Sequence, residues 1–126
     1  MERPEAIAAP LPPAKPRLAR LKKRREFLRA ASRGKRAARP GLVLQALAVP
    51  ESSLKLGFTV TKKIGNAVAR NRARRRLKEA ARLTLPGMGL SGWDLVLIGR
   101  DATAERPFPL LIEDLRVALR QAGVAP

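Results

Sequence analysis

The clearest periodic signal in this chain is Leu54-Lys-Leu-Gly-Phe-Thr-Val-Thr61, where every second residue is apolar. Such alternation predicts a half-buried strand. Leu54, Leu56, Phe58 and Val60 share the face meant for the core, and Lys55, Gly57, Thr59 and Thr61 share the other. That second face is small and hydroxylated, suited to a sugar-phosphate chain or to solvent. Leu42-Val-Leu-Gln-Ala-Leu-Ala-Val49 predicts an earlier strand, and Pro50-Glu-Ser-Ser53 between them carries turn chemistry. The two are therefore expected to pair as an antiparallel hairpin. Trp93-Asp-Leu-Val-Leu-Ile-Gly99 is apolar without interruption, as in a strand covered on both faces, and is expected at the centre of the sheet.

Helical spacing fills the intervals. Leu21, Phe27, Leu28 and Ala31 mark a basic stretch that predicts a helix over 24–32, stopping near Gly34. From the residues alone Phe27 reads as a core anchor, with a ring exposed for unpaired bases as the alternative. Asn66 follows Gly65 as a good N-cap, and Ala69, Ala73, Leu77 and Ala81, joined by Ala80, form the buried stripe of a long helix. Those small residues predict that the helix lies close to the sheet. It ends before Pro86-Gly87; residues 89–92 form a loop and 101–107 a polar connection. A last amphipathic helix over 109–121 should bury Leu111, Leu115, Val117, Ala118 and Leu119. Residues 1–16 contain five prolines and no helical or strand period, and read as a flexible tail. One α+β domain over 17–122 is expected, with 123–126 as its C-terminal end.

Charge changes this picture from a fold to a partner. The chain carries 27 Lys and Arg against 10 Asp and Glu, a net +17. Between Lys62 and Arg82 there are nine basic side chains and one acid, Glu79. Arg70, Arg74 and Lys78 form one row, while Arg72, Arg75, Arg76 and Arg82 extend the positive surface around the helix. Like charges at this density repel and weaken a helix unless an anion answers them. Solvated faces usually mix signs, and a membrane-surface helix needs larger apolar residues than alanine opposite its charges. Nucleic acid is the partner that fits.

Composition also removes most chemistry. With no cysteine and no histidine there are no disulfides, thiol nucleophiles, His-dependent triads or His-ligated metals. The ten carboxylates are scattered, and Glu113-Asp114 is their one adjacent pair. A protein-borne hydrolase site is not expected. No apolar run reaches the ~20 residues of a membrane span, and prolines interrupt any N-terminal signal-peptide core. A soluble cytoplasmic domain is the expectation.

Lys62-Lys63-Ile64-Gly65-Asn66-Ala67-Val68-Ala69-Arg70-Asn71-Arg72, followed by Arg74-Arg75 and Lys78-Glu79-Ala80, resembles the signature of the bacterial ribonuclease P protein family. The flanks agree. Leu21-Lys22-Lys23-Arg24-Arg25-Glu26-Phe27 is similar to the family's first helix, Gly34-Lys-Arg36 to its following turn, and Trp93 to Ile98 to its late strand. The likeness runs in order over about residues 20–122.

The resemblance implies a ribosomal-protein-like α/β sandwich with a mixed sheet and the basic helix in a left-handed crossover, against the usual handedness. It implies a subunit that assists a catalytic RNA, working with Mg²⁺ held mainly by that RNA, in endonucleolytic removal of the 5′ leader from precursor tRNA. Lys62, Lys63, Arg70, Asn71, Arg72, Arg74, Arg75 and Lys78 would dock on the RNA subunit. Phe27, Thr59 and Thr61 would contact the leader, which turns the reading of Phe27 from core to cleft. No catalytic residue, membrane or further protein partner is expected, and no residue of the protein is singled out as a metal ligand. Ala31 and Gln45 stand where the family usually carries aromatics, which leaves the cleft poorer in stacking surface. A structural RNA-binding protein and a protein-only nuclease are the rival readings; the second would need metal-binding carboxylates.

Overall fold

The structure is a computed structural model that describes residues 18–125. The expected tail over 1–16 lies outside the described residues. Strand β1 (Ala19–Arg20) leads into helix α1 (Arg24–Arg33), strands β2 (Lys35–Ala38), β3 (Leu42–Ala48) and β4 (Lys55–Thr59), and a 3-10 turn at Lys62–Ile64. Helix α2 (Ala67–Thr84), a turn at Pro86–Met88, strand β5 (Trp93–Gly99) and helix α3 (Phe108–Gln121) complete it. The sheet runs β1-β4-β5-β3-β2. β1 is parallel to β4 and β4 to β5, while β3 is antiparallel to both β5 and β2, so the sheet is mixed.

Two expectations fail here. β3 and β4 do not form a hairpin, because β5 lies between them and pairs with both. Leu95, Val96 and Leu97 of β5 are at most 2% exposed. Apolar on both faces, that strand takes the position covered on both sides, and its neighbours must part to admit it. The connection after β3 crosses the start of β5. There the Val49 N–H donates to the Gly92 carbonyl and the Gly92 N–H donates to the Ser52 carbonyl, both at 2.8 Å. The segment after Gly34 is also more than a turn. Gly34 caps α1, and Lys35–Ala38 then pairs with β3, Lys35 opposite Ala46 and Ala38 opposite Val43. Four residues, two of them alanine, carry no strand period of their own; the open edge of β3 orders them.

The expected alternation of β4 holds. Leu56 is fully buried, and Leu54, Phe58 and Val60 pack with it on the face covered by α2 and α3. Leu42, Leu44, Leu95 and Leu97 of the sheet meet Leu77, Ala80 and Ala81 of α2 and Leu111, Leu115 and Leu119 of α3. Ala73, Ala80 and Ala81 are fully buried, as close packing on the sheet requires. α1 covers the opposite face over a smaller cluster of Leu21, Ala30 and Val96, flanked by Phe27, Leu47 and Ile98. Val117 is only half-buried, and the packed core continues to Val124.

The inward-facing residue that hydropathy concealed is Asp114. It is 2% exposed, and its Oδ2 accepts from the Gly41 N–H at 2.9 Å and from Arg106 Nε at 2.5 Å. Thr103, also buried, donates to the Gly41 carbonyl at 2.6 Å and accepts from the Arg100 N–H at 2.7 Å. One carboxylate thus fastens the β2–β3 turn and the 100–107 loop to α3. Asp114→Ala would leave a buried N–H and a guanidinium unanswered. It should cost about 3 kcal/mol in denaturant unfolding without changing the fold of what remains native.

Candidate nucleic-acid interface

The basic helix is built from its first turn. Gly65 has φ +139°, a conformation side chains resist, and it turns the chain so that Asn66 can cap. Asn66 Oδ1 accepts from the Ala69 N–H at 2.9 Å, and an Arg70 guanidinium N–H donates back to the Gly65 carbonyl at 2.8 Å. Lys62 and Lys63 are exposed on the preceding 3-10 turn, so they border the start of α2. Asn71 Oδ1 accepts from Arg74, one turn on, at 3.2 Å. Arg72 and Arg75 point to solvent, while Arg70, Arg74 and Lys78 are half-buried along one flank.

The positive surface is narrower than the charge count suggests. Arg76 is directed inward, donating to the Ala104 carbonyl at 2.9 Å and to the Arg106 carbonyl. It also lies over the Phe108 ring, 5.7 Å from its centroid. Burial, and then Arg72 nearby, pull its pKa down. Arg82 forms a two-pronged contact with Glu79, its Nε bond at 2.9 Å. These two arginines, expected to extend the positive surface, instead clamp α2 to the 100–107 loop and to itself.

The opposite face of the sheet carries the expected leader residues. Thr59, Ile98 and Val43 lie side by side across three strands; Gly57, Val96, Gln45 and Arg36 make the next row. Phe27 of α1 is half-buried directly over Gly57, where a Cβ would come within 2.4 Å of its ring. The ring therefore anchors α1 on the sheet. Thr61 is exposed just past β4 and lines a groove of about 470 Å³ with Lys63, Arg36, Arg100 and Ile98. Ile98 also packs against the cluster that Phe27 flanks. Arg36 and Arg100 escaped the sequence reading, since only the strand register brings them to this face. Ala31 is exposed and Gln45 half-buried on the same side.

Beneath α1 lies Asp94, 2% exposed, its Oδ1 without a hydrogen-bond partner and its Oδ2 3.8 Å from Arg29. Burial raises its pKa from the ordinary 3.8, outweighing the opposing pull of Lys55 and Arg29. No group of three or more metal-binding side chains converges among the described residues, and no helix there is long and apolar enough to cross a membrane.

The Ribonuclease P family model matches residues 16–123. The chain belongs to the ribonuclease P protein family. The ribonuclease P protein component of Gluconacetobacter diazotrophicus is 60% identical over 106 residues, covering 83% of this chain and 91% of that one. The corresponding protein of Paramagnetospirillum magneticum is 51% identical over 112 residues, 85% of this chain and 84% of the other. Among solved structures, the RNase P protein of Staphylococcus aureus superposes with a TM-score of 0.73 at 26% identity, covering 87% of this chain and 100% of that one. That of Thermotoga maritima gives 0.68 at 28% identity, with 80% and 96% covered. The mixed five-stranded sheet with three helices is thus the fold of ribonuclease P proteins, and the family is the protein component of a tRNA-processing, RNA-binding enzyme.

Two predictions follow the geometry. Arg72→Ala and Arg75→Ala should each lower the log–log salt slope of binding to a ribonuclease P RNA by about one, whereas Arg82→Ala should leave it near wild type. The second concerns Asp94. Its native pKa is raised, so the folded state binds the proton first, and stability falls as pH climbs from 3.8 through the raised value. Asp94→Asn should therefore be the more stable protein at pH 7 in thermal unfolding, with the difference shrinking towards pH 4.

Proposed function

We propose that this chain docks on the catalytic RNA of ribonuclease P through α2 and holds the 5′ leader of precursor tRNA in the cleft under α1. The observation that carries the reading is a rigidly capped helix presenting Arg72 and Arg75 to solvent beside the half-buried row Arg70, Arg74 and Lys78. Arginine's planar fork binds a phosphate through two hydrogen bonds, and Asn71 fixes one such fork at Arg74. Lys62 and Lys63 add point charges at the edge, which lowers the repulsion among crowded RNA phosphates near the reacting bond.

The leader takes the other face. Phe27 offers the edge of a ring, Thr59 and Thr61 offer hydroxyls, and Arg36, Lys63 and Arg100 supply charge around the groove. With Ala31 and Gln45 in place of aromatics, leader affinity leans on these cations more than on stacking. Mature tRNA lacks the leader, so these contacts favour precursor over product. Catalysis belongs to the RNA: the chain has no histidine or cysteine, and the described carboxylates do not converge. The Mg²⁺ required by the holoenzyme is assigned mainly to the RNA. The cytoplasm, where precursor tRNA is made, is the assigned location.

The test is cleavage of a leader-bearing precursor tRNA at low Mg²⁺ by a cognate ribonuclease P RNA, with and without this protein and beside a protein-alone control. Rescue that requires both components is expected. Tight RNA binding without rescue would make the chain a structural RNA-binding protein, and cleavage by protein alone would relocate the active site.

A further inference from the structure

Among the described residues two carboxylates are buried, and they do different work. Asp114 answers a backbone N–H and a guanidinium, and so fastens three segments. Asp94 has no hydrogen-bond partner at Oδ1, and its Oδ2 meets the Arg29 guanidinium at 3.8 Å. Burial raises the Asp94 pKa, Lys55 and Arg29 pull it down, and Glu26 adds to the rise. A charge held against such a cost does not serve the stability of the fold.

Its place in the sheet gives the charge another use. Asp94 is locked in register on the central strand, opposite Lys55 of β4 on one side and Leu47 of β3 on the other. Helix α1 crosses these three strands. Glu26 Oε2 lies 3.9 Å from Lys55 Nζ, Arg29 meets Asp94, and Arg33 shares a groove of about 220 Å³ with Leu47 and Ala48. The spacings match, since three residues of helix rise about 4.5 Å and neighbouring strands stand about 4.8 Å apart. The charges also alternate: an α1 acid meets a β4 base, and an α1 base meets a β5 acid. A helix displaced along its axis would bring Glu26 towards Asp94, like against like. This seam fixes one flank of α1. Phe27 stands over Gly57 in the middle row of the same sheet face, and the row of Thr59, Ile98 and Val43 lies beyond it.

We propose that Asp94 is a positioning residue for the leader cleft: by holding Arg29 from beneath, it sets where α1 stands relative to the Thr59–Ile98–Val43 row. The proposal rests on the reading of that row as the face that takes the leader. Asp94 is buried under α1 and touches no RNA; it acts through Arg29 and the helix. Held from the flank that bears the charges, α1 leaves its other flank clear for a polynucleotide. A metal ion at Asp94 is disfavoured by the two cations beside it, Arg29 and Lys55. Arg29 is half-exposed, so the pair is worth little to folding and its effect falls on the position of the helix.

The test measures the preference for leader-bearing over mature tRNA, as a ratio of affinities, in the holoenzyme formed with a cognate ribonuclease P RNA. Asp94→Asn keeps the side-chain volume and removes the charge, and the raised pKa makes it the more stable protein at pH 7, so a loss is not one of folding. It should lower the ratio about threefold, the worth of a half-exposed ion pair, with affinity for the RNA subunit unchanged. Arg29→Gln should give the same loss, and the double variant no more. The wild-type ratio should fall as the pH is lowered from neutral through the raised pKa of Asp94, while that of Asp94→Asn stays level. The groups facing Asp94 are Arg29 and Glu26 of α1 and Lys55 of β4. Arginine and lysine keep their charge in acid, and the Lys23 and Lys22 N–H groups hold the Glu26 pKa below its ordinary value. An unchanged ratio in Asp94→Asn, additive losses in the double variant, or one pH profile shared by both proteins overturns the proposal. Arg36→Gln, in the groove and away from the seam, tests the cleft by itself. If it lowers the ratio and Asp94→Asn does not, the assignment of Asp94 alone falls; if neither does, the reading of the leader face falls with it.

Discussion

The rest of the molecule depends on where β5 sits. A strand apolar on both faces must be covered on both, and here it lies between β4 and β3 with helices above and below. Its parallel pairing with β4 has a consequence that hairpins avoid. The chain has to leave one end of the sheet and return to the other, and a connection of that length needs a helix. α2 is that helix. The most highly charged helix is thus a required part of the sheet's wiring, and it cannot drift from the core without unseating the central strand.

α2 reconciles two opposed demands. Charges of one sign spread round a helix disfavour it, yet a docking surface needs them fixed. The chain resolves this by geometry. Alanines at Ala73, Ala80 and Ala81 bring the backbone close to the sheet, Asn66 closes the first turn, and Arg76 is spent on carbonyls of the 100–107 loop. That loop is held in turn by Thr103 and by Asp114 through Arg106. Rigidity at the solvent-facing arginines is therefore underwritten by a buried carboxylate on another helix.

Much of this was legible from residue order. The cap at Asn66, the bounds of β5 at Trp93 and Gly99, the inward face of β4 and the stop of α1 at Gly34 all follow from local patterns. Pairing was less legible, because the turn-like Pro50–Ser53 segment suits a hairpin as well as the crossing it makes. β2 has no pattern of its own. Arg76 is indistinguishable in sequence from Arg75, since only the position of a distant loop decides which of the two turns inward. Phe27 is packed over Gly57, as its residue type suggests. Arg36 and Arg100 become visible only when the register places them beside Thr61.

The crowded row of Arg70, Arg74 and Lys78 also bears on how long the chain survives alone. Whatever binds the folded state and not the unfolded one adds to its stability by mass action, about 4 kcal/mol when the ligand stands a thousandfold above its dissociation constant. On the docking proposed above, the RNA phosphates that meet this row would be such a ligand. On the same docking, the free protein would carry that self-repulsion unrelieved and open more often than the RNA-bound one.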